Sequence, residues 1–386
     1  MRKFIVIDVG ASENRCMCNF KNVGTVMRVP NHTVFLKEDE KVDLMVDPKE
    51  VQKSIDISVV KQESSDFFPL RALVGDTAIK YKPVQERPSG NTYKSSQKVN
   101  YSSVLTTCAL ALYDSVEDTH DIALYLAMPP AEAKIRKDYI KEQFKGTYKI
   151  KLNMQQKEMT LNISDVEVYE ESFLAMISFL FNENGTPTEL SQKYQEGYLL
   201  SIDIGASTTD IVAIKDGEYL EHTGKTIKTG GNVVRDTLID EITIDRGTEI
   251  STEMAAIGVE QGRIRNGNSW MRVDEQLNKA KEAYAEDVVS DLDTYFRGKK
   301  IPLQNFRAIC VSGGGAKESV YRDDNGNEIK TTEPMSYFIT QKLRERNEYV
   351  EVEGYKGNSR EANTRGLYIR AKIDQLRKGN IALDDF

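Results

Sequence analysis

The sequence predicts an α/β protein built from two matching lobes with mixed sheets. One six-residue phrase occurs twice, as Ile-Asp-Val-Gly-Ala-Ser at Ile7–Ser12 and Ile-Asp-Ile-Gly-Ala-Ser at Ile202–Ser207. Each copy ends an apolar β-type run (Phe4–Ile7, then Leu199–Ile202) and enters a turn. Strand-type and helix-period segments also alternate along both halves, the pattern of layered α/β architecture. At 386 residues the chain has room for about two to three domains.

The elements follow in order. Strands are expected at Phe4–Asp8 and Arg15–Phe20, then a polar, loop-rich variable subdomain from Asn31 to Gln97, with Pro69, Pro83, Pro88 and Ser89-Gly90-Asn91. Tyr101–Asp114 has helical apolar spacing at Val104, Leu105, Cys108, Leu112 and Tyr113. The strand Ile122–Met128 stops at Pro129-Pro130, and a charged helix, Ala131–Phe144, follows. Tyr148–Asn153 and Met159–Ile163 read as a hairpin, Val166–Tyr169 as a strand and Ser172–Phe181 as a helix. The polar stretch Asn182–Glu196 is the expected crossover. Beyond it lie the second copy of the phrase, a polar and Gly-rich stretch Thr243–Met271, a long helix Val273–Phe296, a strand Phe306–Val311 and a final helix Arg360–Leu376. The expected lobes are 1–185 with 355–386, and 186–354, the second carrying a subdomain at 243–300.

Composition excludes several classes of function. With 39% hydrophobic and 29% charged residues the chain is that of a globular protein. A net charge of -8 and a pI near 5.3 do not attract nucleic acid, so any link to DNA would run through a basic partner. No segment approaches the ~20 apolar residues of a membrane span. Asp8 interrupts the apolar start too early for a signal peptide, and Gly379 with Asp384-Asp385 argues against a membrane-binding helix over Lys372–Phe386. Four Cys and three His form no metal pattern. Cys16 and Cys18 alternate with Phe20 onto one strand face, as core residues do, and the expected compartment is the reducing cytoplasm.

A carboxylate at a strand end, followed by Gly and small residues, puts an acid beside exposed backbone N–H groups, which suits a triphosphate and Mg²⁺. The first copy offers Asp8, Gly10, Ala11 and Ser12. The second offers Asp203, Gly205, Ala206 and Ser207, with hydroxyls from Thr208 and Thr209. Asp8 and Asp203 are the expected metal-side acids, acting through water. A strand-end Asp can also serve only as a turn cap, but the duplication favours phosphate binding. Arg15 could reach a phosphate or lie solvated. Glu171, at the junction Val166–Ser172, could activate an attacking water or simply complement a helix dipole. Three glycines, Gly313, Gly314 and Gly315, close the strand Ile309–Val311 and allow a base or ribose to approach backbone. Glu318 breaks a dinucleotide fingerprint there, and Tyr219 breaks a P-loop ending at Gly224-Lys225-Thr226.

Taken together, these motifs resemble the actin-like ATPase superfamily, and in detail the bacterial plasmid-segregation actins of the ParM and Alp7A type. Met128-Pro129-Pro130 is similar to their Leu-Pro turn, Glu170-Glu171-Ser172 to their Pro-Glu-Ser junction, and Ala362-Asn363-Thr364-Arg365-Gly366 to their C-terminal hinge motif. Glu170 stands where Pro is usual. The resemblance implies a duplicated ribonuclease H-like fold with a nucleotide cleft between lobes, binding ATP (GTP as the alternative) and Mg²⁺. It makes Glu171 and Asp203 catalytic, turns Gly313–Gly315 toward the adenosine, and places Asp210, Gly230 and Gly231 on the second-lobe nucleotide face. Lys281 or Lys279 would touch the base. Ala175 and Gly366 would be small because two helices cross there. It further implies filaments that segregate plasmid or phage DNA through a DNA-binding adaptor at a centromere-like site, with slow hydrolysis driving turnover. A cell-shape actin, a chaperone-like ATPase and a sugar kinase are the rivals within the superfamily.

Overall fold

In the computed structural model the described residues are 2–10, 13–42, 55–62, 68–81 and 97–382. Pro83, Pro88, Ser89-Gly90-Asn91 and Asp384-Asp385, and with them part of the expected variable subdomain, lie outside that range. The chain divides into two compact units, Met1–Thr186 with Asn363–Phe386, and Pro187–Ala362.

The first unit is built on one mixed sheet. Its strands are β1 (Lys3–Val9), β2 (Glu13–Cys18), β3 (Met27–Pro30), β4 (Thr33–Phe35), β5 (Ile55–Lys61), β6 (Leu70–Val74), β7 (Thr119–Met128), β8 (Gly146–Leu152) and β9 (Lys157–Glu170). Their order is β3-β2-β1-β7-β9-β8-β5-β6-β4. The helices are α1 (Asp76–Tyr81), α2 (Gln97–Ala111), α3 (Pro130–Phe144) and α4 (Glu171–Leu180). β1, β7 and β9 run parallel, so their carboxyl ends share one edge, where ligands of open α/β sheets bind.

Side chains along the central strands alternate between two buried faces. Ile5, Ile7, Cys16, Cys18, Leu124 and Leu126 pack with α2 and α3, while Phe4, Val6, Met17, Ala123 and Tyr125 pack with α4 and the final helix. The expected hairpin is β8–β9, but β9 continues unbroken through Val166–Tyr169, because its far half pairs with β7.

The second unit repeats the theme. It contains α5 (Glu189–Lys193), β10 (Tyr198–Ile204), β11 (Thr209–Lys215), β12 (Glu218–Tyr219), β13 (Lys225–Ile227), α6 (Asn232–Arg246), α7 (Thr252–Gln261), β14 (Arg263–Asn266), β15 (Ser269–Arg272) and α8 (Asp274–Gly298). Then come β16 (Phe306–Ser312), β17 (Ser319–Arg322), β18 (Glu328–Thr332), α9 (Met335–Glu345) and β19 (Glu351–Gly354). The main sheet runs β12-β11-β10-β16-β19, with β13 also on β11, and β10 and β16 are parallel. Leu200, Ile202 and Ile204 pack against α6, α8 and α9.

The expected polar subdomain at Thr243–Met271 contains the end of α6, all of α7 and most of a hairpin, β14–β15, whose apolar residues Ile264 and Met271 face the core. Capping is legible here: Ser251 accepts from the Met254 N–H at the start of α7, and Gly247 and Gly262 end their helices left-handed. The chain stays in the second unit to Ala362, because β19 pairs with β16 and Ser359 is bonded to the turn after it. α10 (Ala362–Arg377) then carries the chain into the first unit.

Candidate functional site

Each repeated phrase is an antiparallel hairpin at the carboxyl edge of its sheet, and each unit presents its own set of groups there. In the first unit, Asp8 lies across from Arg15 on β2 and beside Ala127 on β7. Asp8 is nearly buried, at 4% exposure. Its Oδ2 lies 3.4 Å from Arg15 Nη1 and accepts from Thr364 Oγ1 at 3.5 Å. Burial pushes the Asp8 carboxyl above its ordinary range, and the Arg15 guanidinium opposes that rise. Arg15 also pairs with Glu13.

Gly10 closes the turn so tightly that a Cβ would fall 2.7 Å from the Glu13 carbonyl oxygen. Its own carbonyl accepts from Asn31, which also donates to Asn14; Asn14 in turn donates to Ser103 and Thr107 of α2. This buried polar chain fixes the hairpin to the helix beneath it. Ala11 and Ser12 lie outside the described residues. Glu171 opens α4 directly after β9, half-buried, with its carboxylate at the positive end of the helix.

In the second unit Asp203 faces Asp210 across β10–β11 and Ser312 on β16. Asp203 is 7% exposed and accepts from Ser312 Oγ at 3.2 Å. Arg15 and Asp210 occupy the same offset from their aspartates, so one copy neutralises its acid and the other doubles it. Both residues were visible in the sequence. Their pairing needed the register.

Three backbone segments meet at the end of β10. The Gly205 N–H closes the hairpin on the Thr208 carbonyl (2.9 Å), while Gly231 and Asn232 at the start of α6 donate to the Gly205 and Ala206 carbonyls, both at 2.8 Å. A Cβ at Gly230 would stand 2.6 Å from the Thr208 nitrogen. Gly313, with φ of +95°, would place one 2.4 Å from the Ile204 carbonyl oxygen, and Gly315 would place one 2.5 Å from Ile204 Cγ2. Only glycine permits this approach. Ala206 and Ser207 are exposed and Thr208 half-exposed.

Two expected contacts point elsewhere. Thr209 was expected to offer its hydroxyl to phosphate; strand alternation turns it inward, where it donates to the Thr229 carbonyl and shares a hydrogen bond with Tyr284. Lys281 was expected to touch the base; its Nζ is buried and donates to the Lys317 and Glu333 carbonyls, Thr332 Oγ1 and Ser319 Oγ. It thereby anchors the segment that follows Gly313–Gly315. Lys279 is at the surface, paired with Glu241. Asp210 is buried and accepts from Thr226.

Other residues carry the site without having been singled out. Ser359 donates to the Gly313 carbonyl and the Gly313 N–H to the Ser359 carbonyl, while Arg360, paired with Glu260, packs over Gly314. The three glycines announced a close neighbour but gave no sign of which segment supplies it. Ala175 and Gly366 behave as expected: α4 and α10 cross so closely that a Cβ on Gly366 would fall 1.8 Å from the Leu174 carbonyl oxygen.

Comparison with known proteins bears on the fold. Two family models match, "Actin like proteins N terminal domain" over residues 40–173 and "Archaeal actin homologue MreB-like, C-terminal" over 201–319. Among solved structures the chain is similar to the actin-like protein Alp7A, at 15% identity and TM-score 0.74, with 98% of each chain covered. It is also similar to the archaeal actin homologue Ta0583 (15%, TM-score 0.69, covering 96% and 99%) and to Bacillus thuringiensis ParM with ATP (16%, TM-score 0.66, covering 97% and 99%). No curated protein sequence matches. Among the described residues no helix is long and apolar enough to cross a membrane.

Proposed function

We propose, from the premise that this chain is an actin-like protein with an actin-type domain in each half, that it binds and slowly hydrolyses ATP and assembles with it into filaments. The observation that carries the reading is the doubled hairpin, one copy on each unit at the same sheet edge, each ending in a buried aspartate. In this reading each unit offers a triphosphate its own hairpin, through the N–H groups around Gly10 and those from Gly205 to Thr208.

The second unit's Asp203 sits beside Asp210, a donor set that favours a divalent cation. Asp203 in the second unit and Asp8 in the first are the acids that would meet a nucleotide-borne Mg²⁺ through water, and the ion would offset charge on the phosphates. Glu171 orients the attacking water and accepts its proton, from the N-terminus of a short, largely buried helix. Arg15 holds phosphate on the first side. Gly313–Gly315, braced by Ser359, Arg360 and Lys281, form the surface for adenosine, with Gly230 and Gly231 beneath the phosphate turn.

The cellular role that follows is cytoplasmic segregation of plasmid or phage DNA in a bacterium. The filament end would be captured by an adaptor bound at a centromere-like site, with no direct nucleic-acid contact by this chain. ParM and Alp7A are the structural relatives that support this reading. Sedimentation of the purified chain with Mg-ATP, Mg-GTP or no nucleotide tests it. Nucleotide-dependent pelleting is expected, and Glu171→Ala should still bind and pellet while losing phosphate release by roughly a hundredfold or more. Absence of pelleting under all three conditions sinks the filament, and wild-type turnover in Glu171→Ala removes that residue from catalysis.

A further inference from the structure

The hairpin β14–β15 in the second unit has one face turned to the core and one turned out. Ile264 is fully buried, so Arg263 and Arg265, its neighbours on either side, share the opposite face. Across the ladder Arg263 pairs with Arg272 and Arg265 with Trp270. That outer face therefore holds three arginines and the only tryptophan of the chain. Trp270 is 38% exposed and Arg265 is exposed.

The guanidinium of Arg263 lies 4.3 Å from the Trp270 ring centre and 3.7 Å from that of Tyr321 on β17. That of Arg265 lies 4.4 Å from the Trp270 ring. Arg272 is neutralised by Asp274, at 2.9 Å. Among the described residues Arg263 and Arg265 make no ion pair; Arg263 donates only to Gln261 Oε1 and the Arg322 carbonyl. Two cations held over aromatic rings, with no carboxylate partner among the described residues, are unusual in a chain of net charge -8. Contact with the rings holds each guanidinium in place, and its planar fork of N–H groups matches a carboxylate, so little side-chain freedom is lost on binding.

We propose that this face binds an acidic segment of a partner protein, in extended form with carboxylates two residues apart. Residues two apart on a strand lie about 6.5 Å apart on one face, the spacing of Arg263 and Arg265 and equally of an acid-x-acid stretch. Arg, Trp and Tyr are also the residues that dominate interface energetics. Two free cations on an acidic chain are a poor match for a nucleic-acid backbone, whose affinity rests on many phosphate contacts.

Trp270 makes the test direct, because all tryptophan emission comes from this face. The full chain is titrated with an alternating Glu-Thr peptide, an alternating Gln-Thr peptide and an oligothymidylate. A saturable emission change is expected with Glu-Thr and none with Gln-Thr. Arg265→Gln should weaken the Glu-Thr response by roughly tenfold or more, and Arg265→Lys should also weaken it, because an ammonium lacks the planar fork. Arg265 is exposed, so both variants should keep the wild-type circular dichroism spectrum. No saturable response, or an equal response in Arg265→Gln, overturns the proposal. So does tighter binding of oligothymidylate, which would make the face a nucleic-acid site. A concentration-dependent emission change without peptide, abolished by Arg265→Gln, would assign the face to a second copy of this chain and equally overturn it.

Discussion

Lys281 carries an ammonium into the interior of the second unit, where burial pushes its pKa down to about 7 against the pull of Glu318 and Glu333, with Lys330 adding to the depression. In the unfolded chain the same group titrates near 10.4. Between these values the unfolded state holds a proton that the folded state lacks, so stability from this residue rises with pH from about 7 to about 10 and is flat below. Urea midpoints of the wild type and Lys281→Met should therefore diverge in favour of the wild type as pH goes from 7 toward 9. A constant gap would mean that the four oxygens around Nζ keep it charged throughout. A lysine on an amphipathic helix gives no sequence sign of such a role, because its partners come from Lys317–Glu333, far along the chain. Asp8 and Asp203 stand out in the sequence because the chain states their phrase twice. Thr209 was misplaced because a run of two threonines does not reveal which one begins the strand.

The crossing of α4 and α10 shows what an element can and cannot tolerate. A methyl group on Gly366 cannot fit against the Leu174 carbonyl, so Gly366→Ala must push the helices apart, at a cost of about 3 kcal/mol or more. Gly298, in the last turn of α8, has open space around it, and Gly298→Ala should be neutral or slightly stabilising. Thermal melts of the two variants should lie several degrees apart, with Gly366→Ala the lower, and equal melts would mean that the helices relax freely. Strands and helices with strong apolar period were read from sequence almost to their ends. The hairpin β17–β18 escaped, being exposed and polar around Asp323–Gly326, and β14–β15 escaped because its basic face masked the alternation of Ile264 and Met271.

At the scale of the whole molecule, the proposed function makes a stoichiometric claim: two hairpins, one nucleotide per chain. Calorimetric titration with Mg-ATP should give one site per chain. Free nucleotide at about a hundred times Kd should stabilise the fold by about 2.7 kcal/mol. Two independent sites would show that each unit binds by itself and would break the proposed ATPase. The division into two units was legible because the phrase recurs after a polar stretch. The return point was not: Ser359–Glu361 carries no mark of the hydrogen bonds that keep it with the second unit.

The convergence of Gly205, Gly230, Gly231, Gly313 and Gly315 on the end of β10 bears on how such a chain can age through descent. A surface made of peptide groups does not record the identity of the side chains around it. Nearly every neighbouring residue is free to drift, provided that no methyl group appears at these few positions. Chains that share this fold can stand at 15% identity over almost their whole length and still superimpose. In a random mutagenesis screen, inactive variants should pile up as glycine replacements at these positions, while the exposed turn residues Ala206 and Ser207 accept most changes.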